Sequence, residues 1–280
     1  MTSTPLYLVD FERNRWIRRL VAASLALASL ALLTACGHAN SGATAQQQHA
    51  LAMWQERCKG SGEFIHKTVD NVDGLLLINV RATTNFDDQF RLDDPYGHDV
   101  TGDDYILNFL RGAHRNPNYK TPVGFPPRIG YSFVEARSPK DGQLYRYTGR
   151  FEEPWQTNKS YLKGYIRFVM DKAPIAASTA RYGVRFDDIS TREEREFWIA
   201  SSSLKVIDVR TREVLAERIG YMVDLAQGSR AGQRSPWLFA ADNACPNFYR
   251  NYSVPVSTPG FSVQTGQTLD FVAKTLKPSL

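Results

Sequence analysis

The sequence predicts an α+β fold, mainly β: antiparallel sheet(s) of hairpins with short helices at the N- and C-terminal ends. Short runs rich in β-branched and aromatic residues recur between Gly, Pro, Asp and Asn punctuation, which is how strands joined by turns read. Two interruptions, Asp73-Gly74 and Ser138-Pro139-Lys140-Asp141-Gly142, have hairpin chemistry. Helical spacing is confined to short stretches, chiefly near the two ends. With 42% apolar and 12% aromatic residues over 280 positions, a sizeable core is available.

Arg13, Arg15, Arg18 and Arg19 precede the apolar run Leu20–Ala35, which ends in Leu33-Thr34-Ala35-Cys36. Charged, apolar and small-residue parts in that order make a bacterial export signal. The run is short for a bilayer span of about 20 residues. A Cys at the cleavage point marks a lipobox, so Cys36 is the expected lipidation site, and two or more acyl chains there give a stable anchor. The alternative is an uncleaved membrane anchor with a chance Cys. Residues 1–35 are therefore expected to be a signal peptide that is removed, 36–47 a flexible tether, and 48–280 a single β-rich domain facing the periplasm. Gly37, where an Asp favours inner-membrane retention in enterobacterial sorting, points to the periplasmic face of the outer membrane.

Net charge falls from +5 to +3 on processing, because four Arg leave with Asp10 and Glu12. No Lys/Arg stripe remains, so nucleic acid is not an expected partner. Cys58 and Cys245 remain in a compartment that permits disulfides, and they are expected to bridge; two reduced buried thiols are the alternative. A bond from near the start to near the end implies one closed domain.

In the mature chain, Ala50, Leu51, Met53 and Trp54 predict a helix over Gln48–Arg57. Phe64–Val72 and Leu75–Val80 are expected as a hairpin about Asp73-Gly74. Asp103 can cap a helix through Leu110, and the four prolines of Asn116–Pro127 indicate an irregular loop. Tyr131–Ala136 and Leu144–Tyr147 flank the Ser138–Gly142 turn. Tyr165–Met170 and Tyr182–Phe186 are two more strands. Ser190–Glu194 offers a capping box, and Phe197–Val209 with Val214–Val223 form a long pair in which Leu215, Ile219, Tyr221 and Val223 share a face. Gly228–Pro236 is a loop, Trp237–Ala241 an apolar segment, and a short helix around Leu269, Val272, Ala273 and Leu276 closes the chain.

The chemistry-bearing candidates are few. Ser160-Tyr161-Leu162-Lys163 has the Ser-x-x-Lys spacing of penicillin-recognising enzymes but lacks their companion motifs. His66, His98 and His114 have neither metal-ligand spacing nor nearby Cys, and no Gly-x-Ser-x-Gly elbow exists. No catalytic residue, metal or cofactor is assigned, and the chain is expected to act by binding, with an unrecognised periplasmic hydrolase as the dissenting reading. Tyr145, Tyr147, Trp155, Tyr161 and Tyr165 could make a sugar or peptide platform, but most are expected to fill the core, as are Trp198 and Trp237. Arg230–Arg234 is read as a solvated turn rather than a ligand clamp. Asp87–Asp104 holds seven Asp against Arg91. It reads as a solvated loop, as a docking surface for a basic partner, or as a Ca²⁺ loop without the usual grammar. If it docks a partner, Asp93, Asp94, Tyr96, Asp99, Asp103, Asp104 and Tyr105 are its expected contacts.

A lipobox signal, a short tether, one disulfide-closed β-rich domain and no catalytic constellation occur together. So do Asp188-Ile189-Ser190-Thr191, Phe197-Trp198-Ile199-Ala200, Leu204–Val209 and Pro236-Trp237 with Cys245-Pro246. The combination resembles lipoprotein immunity proteins of type VI secretion phospholipase effectors. The resemblance implies a protein that binds a secreted phospholipase in the periplasm and blocks its active-site mouth or lid. It transfers no residue beyond Cys36. The competing expectation is a structural or assembly lipoprotein of an envelope complex.

Overall fold

The chain enters the fold through helix α1, Ala45–Cys58, so the last three residues of the expected tether are helical. The computed structural model describes residues 44–80, 90, 92, 102–111, 130–247 and 261–279; the lipobox and signal segment lie outside them. After α1 come the strands β1 (Gly62–Ile65), β2 (Val69–Val72) and β3 (Gly74–Leu77), then helix α2 (Gly102–Leu110). Strands β4 (Phe133–Arg137), β5 (Leu144–Glu152), β6 (Arg167–Pro174) and β7 (Tyr182–Asp188) follow. Helix α3 (Arg192–Glu196) leads to the long strands β8 (Ile199–Asp208) and β9 (Val214–Val223). The chain closes with α4 (Pro236–Ala240), β10 (Ala244–Cys245), α5 (Phe261–Thr275) and β11 (Leu276–Pro278).

The fold is α+β with strands predominating, but its main sheet is mixed. The strand order is β1-β9-β8-β7-β3-β4-β5-β6, with β10 also paired to β9. Antiparallel hairpins form at two of the expected turns. β4 and β5 pair from Phe133↔Thr148 to Arg137↔Leu144 around Ser138–Gly142, and β8 and β9 pair from Ile199↔Val223 inward. The expected hairpin at Asp73-Gly74 does not form. Instead β2 pairs in parallel with β11, in a second two-stranded sheet, while β3 enters the main sheet parallel to both β4 and β7. Leu75-Leu76-Leu77 explains the choice. An unbroken apolar run suits a strand covered on both sides, where an alternating run suits a hairpin arm; Leu75 and Leu77 are fully inaccessible on one face and Leu76 is half-buried on the other.

Helix α2 packs over β4 and β5, and α5 over β8 and β9. Ile106, Phe109 and Leu110 of α2 and Leu269, Phe271 and Val272 of α5 close the main core with Leu75, Val134, Val184, Leu204 and Val206. The closing helix begins at Phe261, well before the expected start, and takes in part of the Ser/Thr/Gly-rich stretch. β9 is buried on both faces rather than the one expected. Val223 packs under Ala50 of α1, and Met222 packs against Trp237 of α4.

The expected Cys58–Cys245 disulfide is present, with Cα atoms 5.6 Å apart. It fastens the end of α1 to β10. α1 is also held by Arg57, whose Nε lies 2.6 Å from Glu194 of α3. Residues 45–280 form one compact unit.

Candidate partner-binding surface

Phe90 and Leu92 of the acidic segment are anchored on the loop between β9 and α4 and on the apolar cluster around Trp237. Phe90 meets the Trp198 ring edge-on at 6.4 Å, and the Arg230 guanidinium lies 3.8 Å above its centroid. Leu92 packs against the apolar cluster of Ala200, Met222, Trp237, Ala240 and Ala244. A cation over an aromatic face is worth roughly 0.5–2 kcal/mol, depending on exposure. Arg230 thus joins the acidic segment to the scaffold.

Asp224, 1% exposed, organises that loop. Its carboxylate accepts from Arg234 Nη2 at 2.7 Å, from the Gly228 amide at 2.9 Å and from the Ala226 amide at 3.2 Å. Arg234 also lies over the half-exposed Phe239 ring, 4.7 Å from its centroid. The two arginines are therefore occupied by Asp224 and the Phe90 and Phe239 rings, which is a fastening role and not a ligand clamp. Trp198, Gln227 and Gln233 adopt left-handed backbone at φ 55°, 49° and 54°. Each such non-glycine residue costs about 1–3 kcal/mol and persists only where its surroundings over-determine it. Gln227 shows how: its side-chain amide donates to the carbonyls of Phe197 and Asp224, both at 2.9 Å. Trp198 in turn stacks on Trp237 at 4.9 Å.

Of the expected contact residues, Asp93, Asp94, Tyr96 and Asp99 lie outside the described residues. Asp103 and Asp104 begin α2, where only the backbone is described. Tyr105 is corrected: it is 8% exposed and belongs to the core. The spacing of Tyr105, Ile106, Phe109 and Leu110 puts all four on the buried stripe of α2, and the Tyr105 ring meets Phe109 edge-on at 5.3 Å. It cannot greet a partner from there. Of the three remaining histidines, His66 is exposed, and His98 and His114 lie outside the described residues.

No family model, curated protein or solved structure matches this chain.

Ser160 lies in an exposed 3-10 turn and not at the head of a buried helix; its hydroxyl donates to Asn158 Oδ1 at 2.7 Å. Lys163 follows in left-handed backbone at φ 46°, so the Ser-x-x-Lys spacing is not presented on a helix. Two aromatic expectations separate. Tyr147 and Trp237 are in the core at 2% exposure, whereas Trp155, Tyr161 and Tyr165 stand in solvent. Sequence reasoning expected most of the five aromatics to fill the core because aromatic residues favour strands. The signal that places them outside is Pro154 together with Asn158 and Gly164, which hold them in a loop.

A cavity between β8, β9 and α5 is lined by Phe186, Leu204, Arg218, Met222 and Thr268. Arg218 is 7% exposed and donates to Gln267 Oε1 at 3.0 Å; burial lowers its pKa, partly offset by Glu63. No helix among the described residues is long and apolar enough to cross a membrane.

Proposed function

We propose that this chain is a lipid-anchored protein of the bacterial envelope, held through acylated Cys36 on the periplasmic face of the outer membrane, that works by binding another protein. The proposed partner is a secreted phospholipase effector of a type VI system, which the chain neutralises as an immunity protein. One observation carries the reading. Within the acidic segment Asp87–Asp104, Phe90 lies under Arg230 of the loop that Asp224 and Arg234 hold in place, and Leu92 packs on the apolar cluster of Met222 and Trp237. Anchoring Phe90 and Leu92 lowers the ordering cost of binding at those two positions, so more of their contact energy appears as affinity. Clustered carboxylates speed encounter with a basic surface and favour correct orientation. Tethering at the membrane under attack raises effective concentration there without a new contact.

The test is co-expression of the full chain with each neighbouring effector gene directed to the periplasm. Rescue of growth and a purified complex are expected. Reversing two carboxylates, Asp93→Lys with Asp94→Lys, is expected to slow association about tenfold at low salt while leaving the dissociation rate nearly unchanged. Rescue with unchanged kinetics removes the acidic segment from the mechanism, and no complex with any neighbouring effector removes the function. Fatty-acid labelling that persists in Cys36→Ser removes the anchor.

A further inference from the structure

The three most exposed large apolar side chains among the described residues sit in one loop. Trp155 is 84% exposed, Tyr161 79% and Tyr165 60%, while Phe239, the next, is at 47%. All three belong to residues 153–166, the connection between β5 and β6. Monomer surfaces carry scattered apolar residues, but a concentration of large ones marks a contact site. None of the three rings packs on another ring, lies under a cation or makes a side-chain hydrogen bond among the described residues.

The loop is tied at its base and within. At its base Glu152 accepts from Arg167 at 2.6 Å and from Arg150 at 2.9 Å, Arg150 also pairs with Asp171, and Phe151 meets Phe168 edge-on at 5.2 Å. Within the loop Asn158 accepts from the Ser160 amide at 3.0 Å, and Lys159 pairs with Glu153 at 3.2 Å. β6 is the edge strand of the main sheet among the described residues, so the hairpin lies at that edge.

We propose that this hairpin tip is a bilayer-contacting site that seats Trp155, Tyr161 and Tyr165 among the headgroups of an anionic membrane. The chemistry fits that occupant. Indole and phenol rings are apolar bodies with one polar edge, and they concentrate where hydrocarbon meets headgroup. Lys159 and Lys163 flank Tyr161 and can lay their stems along the interface with the ammonium in the phosphate layer. Between Arg150 and Lys172 five cations face three carboxylates, which gives the patch the sign complementary to anionic lipid. The site rests on the loop alone and not on acylation of Cys36 or on any protein partner.

Trp155 reports on itself. Among the described tryptophans, Trp237 is buried and Trp54 and Trp198 are packed at the interior, so the emission lost in Trp155→Phe is that of the exposed indole. The full chain is reconstituted in vesicles of phosphatidylethanolamine and phosphatidylglycerol, with brominated acyl chains as quencher. The expected result is that the Trp155 component is blue-shifted, quenched at least twofold by bromine, and shielded from aqueous iodide. Lys159→Glu with Lys163→Glu, which keeps Trp155, is expected to reverse most of that quenching, as is replacing phosphatidylglycerol by a neutral lipid. A Trp155 component that stays iodide-accessible and unquenched on the vesicles overturns the proposal, and so does quenching that the lysine reversals leave unchanged. Burial of Trp155 that requires an added protein and not lipid overturns it in favour of a protein-binding tip.

Discussion

Gly228 lies at φ +69° beneath Trp198, and a Cβ built there would fall 2.1 Å from the indole Cζ2. Two penalties therefore coincide at one residue, left-handed backbone and a collision with a ring that is itself held by Trp237. Gly142 has the same backbone, φ +70°, with nothing within 4 Å, so it isolates the first penalty. Gly142→Ala is expected to cost about 1 kcal/mol, and Gly228→Ala about 3 kcal/mol or more. Urea midpoints measure both, and equal losses would show that the ring gives way freely. Glu135 offers a test in pH. It is fully buried and accepts from Arg146, Ser178 and the Thr179 and Ala180 amides. Burial alone raises its carboxyl, but the bonds from Ser178, Arg146, Ala180 and Thr179 outweigh that and hold it below the usual carboxylate range. A lowered folded-state pKa means stabilisation that is complete above the unfolded value, about 4.3, and lost as pH falls through the folded one. Glu135→Gln is therefore expected to cost about 2–4 kcal/mol at pH 7, with the gap to wild type narrowing below about pH 4. A gap that stays constant down to pH 3 would assign the loss to packing.

Helix α3 shows how a local signal becomes a structural joint. Its capping box is complete: Thr191 Oγ1 accepts from the Glu194 amide at 3.1 Å, and Glu194 accepts from the Thr191 amide at 2.7 Å. Glu194 also takes Arg57 of α1 and, at 3.2 Å, the Ser201 hydroxyl of β8. Thr191→Ala removes one cap and is expected to cost about 1 kcal/mol. Glu194→Ala strips three elements of a shared partner and leaves a buried Ser201, so about 3 kcal/mol is expected. Thermal melts that rank the two equally would confine the box to its own helix. What the sequence made legible follows the same division between local and distant causes. The turns at Ser138–Gly142 and Arg210–Glu213, the capping box and the bridge are written in neighbouring residues or in cysteine parity, and each appears where expected. The parallel placement of β3 is decided by β4, β7 and β11, far away in sequence, so Asp73-Gly74 misled. For the candidate surface, Tyr105 was misread because helical periodicity had to outrank the acidity of its neighbours. Trp155, Tyr161 and Tyr165 fall outside the core expected for most of the aromatics, because aromatic strand preference says nothing once a Pro and a Gly have broken the strand.

At the scale of the molecule, the sheet has two unlike ends. Ala50, Met53 and Trp54 of α1 cover Ile199 and Val223 where β8 starts and β9 finishes, whereas the β5–β6 tip projects from the opposite end of the strands, across β7, β3 and β4. The entry of the chain and its most exposed aromatics are thus far apart, and the covalent tie from the entry to the rest is the Cys58–Cys245 bond, 187 residues apart in sequence. Closing so long a loop removes at most about 5 kcal/mol of chain entropy from the unfolded state, and less in practice. α1 buries only Ala50 completely, and β10 is two residues long, so beside the Arg57–Glu194 pair and the packing on Ile199 and Val223 the bond is a main tie between them. Reduction is expected to act unevenly. With Cys58→Ser, amide exchange should quicken by at least tenfold over 45–58 and at Ala244 and Cys245, while β3, β4, β7 and β8 keep most of their protection because their contacts are buried on both sides of the sheet. The global midpoint should fall by about 2–4 kcal/mol in the same variant. If the central strands lose protection in step with α1, the bond is holding the whole core in place, and the division between a self-sufficient sheet and a stapled entry helix fails.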